Sequence, residues 1–286
     1  MFGLWRTFTR VLFYLTLAVG LGGLVGNGLV LWHLGWHIKK GPFSVYVLHL
    51  AAADFLFLGC QVAFAIVQAA LGSQNTLYFV VTFLGFAAGL WLLAAFSLDL
   101  CASEVFPTCH GSWRPRHASG VVCGLLWALS LPAVLVPADA CGLLRGGLHP
   151  GACLRYHAAS IAWLLAGACG ACGAGLVLFL WVACCSRRPR PRFYGAALGS
   201  LLLLLFCGLP LVLYWSLRPL LDFLLPVFPP LAALLAGVHA SAKPLIYFSA
   251  GRQPGRRQPL RAVLRRALGA EGRPGAGGLA LPMSAV

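Results

Sequence analysis

The sequence predicts an all-α membrane protein, a bundle of seven transmembrane helices followed by a short amphipathic eighth helix. Of the 286 residues, 60% are hydrophobic and 9% are charged, and the mean hydropathy is +0.87. A soluble domain carries about 25% charged residues, so this chain cannot cover a globular surface with polar groups. The same composition excludes a disordered chain and a small secreted disulfide scaffold.

Apolar runs of sufficient length give the number of crossings, since a membrane-spanning helix needs about 20 mainly apolar residues. Short polar or basic segments separate these runs, and the fourth is the shortest, with Pro132 and Pro137 near its end. The predicted spans are Val11–Trp36, Ser44–Leu71, Leu77–Leu98, Ser119–Pro137, Tyr156–Cys185, Tyr194–Leu217 and Phe223–Ser249. We expect residues 1–268 to form a single transmembrane domain.

The first run follows Arg6 and Arg10, as the apolar core of a secretory signal would. It is longer than the 7–15-residue core of such signals, and no small-residue cleavage motif follows it. We therefore expect this run to be retained as the first transmembrane helix.

Basic residues predict the orientation, because Lys and Arg concentrate in cytoplasmic loops. Placing the C-terminus inside leaves only five basic residues outside, namely Arg6, Arg10, Arg145, Arg155 and Arg218. The cytoplasmic side then holds Lys39, Lys40, Arg114, Arg116, Arg187, Arg188, Arg190, Arg192, Arg252, Arg256, Arg257, Arg261, Arg265, Arg266 and Arg273. We therefore expect a plasma-membrane protein with its N-terminus outside. The net charge of +15 then indicates anionic lipid headgroups as a partner, not nucleic acid.

The eighth helix is predicted at Gln258–Leu268, where apolar residues recur at helical spacing among arginines. This pattern is typical of a helix that lies on the inner leaflet, and a solvated basic tail is the alternative. The Gly-, Pro- and Ala-rich segment 269–286 is expected to be a disordered cytoplasmic tail.

Ionisable residues inside the predicted spans are candidate functional groups, because a charge in lipid is costly. Asp54 lies in the middle of the second span, and Lys243 lies within the seventh. Asp99 and Glu104 lie at the inner end of the third.

In several short segments the chain resembles the rhodopsin-like G protein-coupled receptors. More narrowly it resembles the Mas-related receptors, in which a glycine commonly replaces the tryptophan of the sixth-helix bend, as Gly208 does here. The resemblance is carried by Gly26-Asn27, Leu50 to Asp54, Trp127, Cys207-Gly208-Leu209-Pro210 and Pro244-Leu245-Ile246-Tyr247. It implies a cell-surface receptor that passes the binding of an extracellular ligand to a heterotrimeric G protein, in nociceptive or itch neurons. The implied intramembrane switch comprises Asn27, Asp54, Asp99, Leu100, Gly208, Pro210, His239, Lys243, Pro244 and Tyr247.

The resemblance also implies a disulfide between Cys141 and Cys153, which joins the outer ends of the fourth and fifth helices. The bond more usual in rhodopsin-like receptors is impossible, because no cysteine lies between Gly72 and Cys101. Two unpaired thiols remain the alternative. Cys184 and Cys185, at the inner end of the fifth span, are candidates either for palmitoylation or for burial.

One departure from the family pattern concerns the inner end of the third helix. The family places an arginine after the acid Asp99, and this chain has Leu100 instead. The change removes five guanidinium donors and puts ordinary G protein coupling in doubt. Asp99 then either pairs with a loop base such as Arg114 or is hydrated at the headgroup boundary.

A second departure is Lys243, where the family usually has an asparagine that, with the acid of the second helix, helps to hold sodium. Gly89 stands where a further sodium ligand is expected, and His239 lies one turn before Lys243. The sequence therefore predicts that the Lys243 ammonium replaces sodium and pairs with Asp54. The alternative is a lysine that extends to the cytoplasmic surface.

The predicted ligand pocket is apolar, aromatic and weakly basic. Pro137 and His157 stand where Mas-related receptors that answer basic ligands can carry acids. A neutral or anionic small ligand fits these charges best, although each lining residue also fits ordinary helix packing. The candidate lining residues are Tyr78, Thr82, Tyr156, His157, Trp163, Tyr214 and Trp215.

Three further function classes compete with a coupling receptor. A receptor-like decoy or heteromer subunit is favoured by Leu100. A transporter or channel lacks support, because no internal repeat or pair of broken helices is visible. An enzyme is not expected, because the membrane-embedded acid, histidine and cysteine residues form no nucleophile–base or metal constellation. No cofactor or metal is expected.

Overall fold

The computed structural model describes residues 2–37, 41–71, 76–108, 115, 117–142, 144, 150–185, 193–224, 228–252 and 259–268. Several predictions concern residues outside these ranges. They include most of the loop arginines and lysines that predict the orientation, the tail 269–286, and the side chains of Tyr78 and Arg218.

The described residues form eight helices, here named α1 to α8 in chain order. Helix α1 ends in a wide π-helical turn at His33–His37, α5 ends in one at Trp181–Cys185, and α6 contains one at Leu204–Gly208 between Tyr194–Leu203 and Leu209–Leu224. The helices are α1 Phe2–Trp32, α2 Pro42–Leu71, α3 Thr76–Val105, α4 Ala118–Ala140, α5 Pro150–Leu180, α6 Tyr194–Leu224, α7 Phe228–Gly251 and α8 Leu260–Leu268. Within the described ranges, α1 to α7 are long and apolar enough to cross a membrane, which confirms the predicted seven-helix fold.

Helix α3 lies at the centre of the bundle and is the most buried of the seven. It packs against α2, α4, α5 and α6, whereas α7 packs against α1, α2, α6 and α8. Large apolar side chains such as Tyr14, Leu176 and Leu245 point outwards and are exposed, as expected of a surface that faces lipid. Four charged or amide side chains of the spans are instead buried in the interior, namely Asn27, Asp54, Gln61 and Lys243.

Helix α4 continues three residues beyond its predicted end and contains both Pro132 and Pro137. A proline removes a single N–H from the helical ladder, and membrane helices tolerate this loss when neighbouring groups satisfy the freed carbonyl. The helix ends at Ala140, and two residues later Gly142 has a φ of 71°, in the left-handed region that favours glycine. The Gly142 N–H donates to the Asp139 carbonyl at 3.0 Å, and this turn leads the chain towards the α4–α5 loop.

The wide turn in α6 lies just before Pro210, at the predicted bend. Proline has no N–H to donate to the carbonyl four residues earlier, so the regular ladder cannot continue through this point. Widening of a turn is a common response to such a break. The bend therefore divides α6 into two segments that meet at Gly208.

Helix α8 is amphipathic and rests on the end of α7. Val263, Leu264 and Ala267 are buried, whereas Arg261 and Arg266 are exposed on the opposite side. The two helices approach closely at Gly251, where an added Cβ would collide with the Val263 carbonyl oxygen. This helix confirms the eighth element of the predicted fold.

Candidate functional site: the polar core beside α7

The centre of the candidate site is an ion pair between α2 and α7. The Lys243 Nζ lies 2.9 Å from Asp54 Oδ1, and both side chains are buried, with 1% and 7% of their surface exposed. An extended lysine that reaches the membrane surface would be exposed at its tip. The structure therefore places together the two residues that the sequence analysis paired, and it does not show the alternative geometry.

A sodium ion beside Asp54 does not fit this arrangement. The ammonium already neutralises the single carboxylate, and a cation on the remaining oxygen, Oδ2, would lie a few ångströms from Lys243. Two unit positive charges at about 4 Å repel by about 4 kcal/mol at an effective dielectric constant of ~20. Gly89, which faces Asp54, offers no side-chain ligand atom: an added Cβ would lie 3.8 Å from Oδ1.

Asn27 joins α1 to α7 at a carbonyl that needs a donor. Because Pro244 has no N–H, the carbonyl of Ala240 lacks its partner within the helix. The Asn27 Nδ2 donates to this carbonyl at 3.2 Å and to the Gly23 carbonyl at 3.0 Å. The amide thus stabilises the helix break at Pro244 and fixes α1 against it.

His239, one turn before Lys243, joins α7 to α6. Its buried imidazole forms a hydrogen bond with the backbone of Leu203, the residue before the wide turn of α6. A Cβ added at Gly208 would lie 3.7 Å from this ring and 2.7 Å from Leu204 Cδ1. A larger side chain at position 208 would therefore have to displace Leu204 and would compete with His239 for space.

Tyr247, two turns after His239, adds a second contact between the same helices. It is 2% exposed, and its hydroxyl forms a hydrogen bond with the side chain of Ser200 on α6. His239, Lys243 and Tyr247 lie at intervals of four residues and so form one face of α7. On this face, His239 and Tyr247 contact α6, and Lys243 between them contacts α2.

Asp99 and Leu100 lie near the opposite end of α3 from the α4–α5 loop. Leu100 is 2% exposed and belongs to the hydrophobic core, whereas Asp99 is half-buried. Arg114, a suggested partner of Asp99, is outside the described residues. The position of the family arginine is thus filled by an apolar side chain that packs inwards.

The candidate ligand-binding residues lie towards the end of the bundle where α4 is followed by α5. They form two aromatic groups, and Tyr156 lies apart from both. Trp215 of α6 stacks on Phe83 of α3, with ring centroids 4.1 Å apart, and its ring centroid lies 5.5 Å from that of His157 on α5. These three residues are here named the Trp215 group. Trp163 instead contacts Trp91 of α3, at 5.2 Å. Tyr156 is 48% exposed.

Of the remaining candidates at this end, Tyr214 is buried and Thr82 is half-buried. The Tyr78 side chain is outside the described residues.

Cys141 and Cys153 form a disulfide that joins the end of α4 to the beginning of α5. This finding confirms the predicted bond, which joins the two helices at the same end of the bundle as the Trp215 group. Cys184 and Cys185 are both exposed at the far end of α5, so the alternative that these thiols are buried is wrong.

Two further polar contacts of α7 involve Gln61 and Ser241, neither of which is among the residues predicted from the sequence. Gln61 of α2 donates to the Ala233 carbonyl at 2.7 Å, and Ser241 donates to the Val19 carbonyl of α1 at 3.0 Å. An amide within an apolar span is a visible signal, and it identifies Gln61. Phe83 and Trp91 carry no comparable signal, because many aromatic residues occupy similar positions.

Comparison with known proteins places the chain in a family. It is 67% identical to Mas-related G-protein coupled receptor member G of Homo sapiens, over 99% of this chain and 98% of that protein. Identity to the member G protein of Mus musculus is 57%, over 100% of this chain and 99% of that protein. Identity to member E of Homo sapiens is 41%, over 94% of this chain and 88% of that protein. No protein-family profile matches the chain.

Full-length identity at these levels, together with seven membrane-spanning helices, establishes a multi-pass plasma-membrane receptor. The chain belongs to the family of Mas-related G-protein coupled receptors.

Proposed function

We propose that this receptor transmits the binding of a small extracellular ligand to a heterotrimeric G protein by movement of α6 about its wide turn. The observation that carries the proposal is the α6 bend at Leu204–Gly208, which is joined to α7 by His239 and is followed by Pro210. A helix that is already divided by a proline has a defined hinge. The segment before the hinge moves as one body on the cytoplasmic side.

The proposed orientation places the disulfide outside the cell and α8 inside. It is supported by the excess of basic residues on the α8 side and by the disulfide, which forms in an oxidising compartment. In this orientation the exposed arginines of α8 face anionic inner-leaflet lipid, and residues 269–286 form the cytoplasmic tail. An N-terminal epitope tag should be stained by antibody on intact cells, and staining only after permeabilisation would contradict the orientation.

The proposed ligand is neutral or anionic and binds beside the Trp215 group. Phe83, Trp215 and His157 offer aromatic surface and one weakly basic ring, and Arg155 is exposed nearby on α5. None of these four side chains is a carboxylate that would attract a polycation. By family resemblance we propose sensory neurons of the nociceptive or itch type as the site of action.

The proposed coupling is tested by G protein dissociation in cells that express the native chain, Leu100→Arg or Leu100→Met at matched surface levels. The methionine variant keeps an apolar side chain of similar volume and so separates the arginine effect from disturbance of the core. Basal dissociation by the native chain and by Leu100→Met supports coupling through the native sequence.

A second candidate function is a receptor-like protein that does not couple, such as a decoy or a heteromer subunit. Its specific support is Leu100, which fills the arginine position with a buried apolar side chain. Coupling by Leu100→Arg alone would favour this candidate, because the bundle would then be competent and only the native residue would prevent signalling.

A further inference from the structure

The polar core beside α7 contains its own cation. The Lys243 ammonium contacts Asp54 at 2.9 Å, and both groups are buried between α2 and α7. A carboxylate in this environment needs a positive partner, because an isolated buried charge is strongly unfavourable. A covalently attached ammonium meets this need at an effectively constant local concentration, whatever the composition of the surrounding solution.

The space around Asp54 is arranged for this partner and not for an additional metal ion. Gly89 of α3 has no side-chain oxygen, and the atoms nearest to a Cβ added there are Ala53 Cβ at 3.6 Å and Asp54 Oδ1 at 3.8 Å. A sodium ion in contact with the carboxylate would have to displace the ammonium or share its partner.

We propose that Lys243 is the permanent cation of the polar core, so that α2 and α7 stay joined without sodium and the folded receptor does not respond to sodium concentration. The lysine excludes the metal by occupying the carboxylate. Removal of the ammonium, with an oxygen ligand supplied at position 89, converts the same position into a sodium site.

The experiment measures the thermal unfolding midpoint of purified receptor in lipid nanodiscs as sodium chloride replaces choline chloride at constant ionic strength. The native chain should show the same Tm across the series. Lys243→Asn combined with Gly89→Ser should show a saturable rise of about 2–5 °C once sodium exceeds its Kd about tenfold. A Cβ added at Gly89 meets its neighbours only at ordinary van der Waals distances, 3.6 Å and 3.8 Å.

Gly89→Ser alone is the matched control, because it adds the same hydroxyl while keeping the lysine, and its Tm should not depend on sodium. A saturable sodium response of the native chain or of Gly89→Ser would overturn the proposal, since the lysine would then not exclude the ion. Absence of a response in the double variant would also overturn it. The native and Gly89→Ser measurements remain decisive even if the double variant folds poorly, and none of these readings depends on G protein coupling.

Discussion

Helix α7 is joined to its neighbours α1, α2 and α6 by polar side chains, whereas α5 meets α3 and α4 through close packing and a disulfide. On the α7 side, Asn27 donates to Ala240, Gln61 to Ala233, and Lys243 to Asp54. On the α5 side, Trp91 and Trp163 are in contact, and the Trp91 ring covers Gly167. In lipid, both kinds of contact drive helix association, but they differ in what movement does to them.

The groups of a hydrogen bond or ion pair can exchange one partner for another when a helix slides or turns. Close packing against a bare glycine offers no second arrangement of comparable quality, because displacement leaves a void. The comparison therefore indicates that the contacts on the α7 side can rearrange, whereas the α5 side serves as the fixed part of the bundle. Four sets of substitutions test this division, from the largest expected effect to the smallest.

Breaking the ion pair should have the largest effect on stability. Asp54→Asn and Lys243→Asn should each lower the free energy of unfolding by about 3–5 kcal/mol, because each leaves a buried charge without a partner. The double variant should recover part of this loss, since neither charge remains. Unfolding in mixed micelles measures the cycle, and a double variant no more stable than the worse single variant would contradict a paired role.

Removing the disulfide should have the next largest effect. Cys141→Ser or Cys153→Ser should cost about 2–4 kcal/mol, because the cross-link no longer restricts the unfolded chain. Reducing agent should lower the stability of the native chain to that of the serine variants and leave the variants unchanged. Cys169→Ser, at an exposed thiol of α5, provides the control, and an equal loss there would remove the special role of the bond.

Overfilling the α3–α5 contact should have a moderate effect. A Cβ added at Gly167 would lie 3.0–3.3 Å from atoms of the Trp91 ring, so Gly167→Val should cost about 1–3 kcal/mol through overpacking. Gly170→Val is the matched control on the same helix, because no atom lies within 4 Å of its added Cβ. The combination of Gly167→Val with Trp91→Leu should recover stability, and failure to recover would mean that the strain lies elsewhere.

Removing a single hydrogen bond on the α7 side should have the smallest effect. Asn27→Ala removes the donor to the Ala240 carbonyl and should cost about 0.6 kcal/mol, as interhelical hydrogen bonds in membranes do on average. Ser216→Ala is the control, because the Ser216 hydroxyl donates only to Val212 of its own helix. A loss for Asn27→Ala as large as that for the ion pair would mean that hydrogen bonds, and not charge, dominate the α7 side.

The sequence predicts the parts of this architecture that depend on composition and on isolated charges. Seven apolar runs predict seven helices. Asp54 and Lys243 are opposite charges within two of these runs, and each needs a partner inside the membrane, so the sequence alone is enough to pair them. The bond between Cys141 and Cys153 was implied by the family resemblance, because spacing alone also allows two free thiols.

Other parts of the candidate site could not be predicted, for physical reasons. The partner of His239 is a backbone carbonyl at Leu203, a group that every residue carries. Pro210 predicts a break in α6, but the position of the wide turn depends on packing against α7. The partner of Trp215 is one of 18 phenylalanines, and helix orientation, not local sequence, selects Phe83.

The contact between α7 and α8 limits which substitutions the chain tolerates. Gly251 has the Val263 carbonyl against its backbone, and an added Cβ would also lie 3.0 Å from Ala267 Cβ. In a library of random variants, position 251 should therefore accept glycine alone, whereas Gly120, Gly124 and Gly195, whose added Cβ atoms meet nothing within 4 Å, should accept many residues. The close approach of α8 to α7 therefore depends on position 251 having a hydrogen atom in place of a side chain.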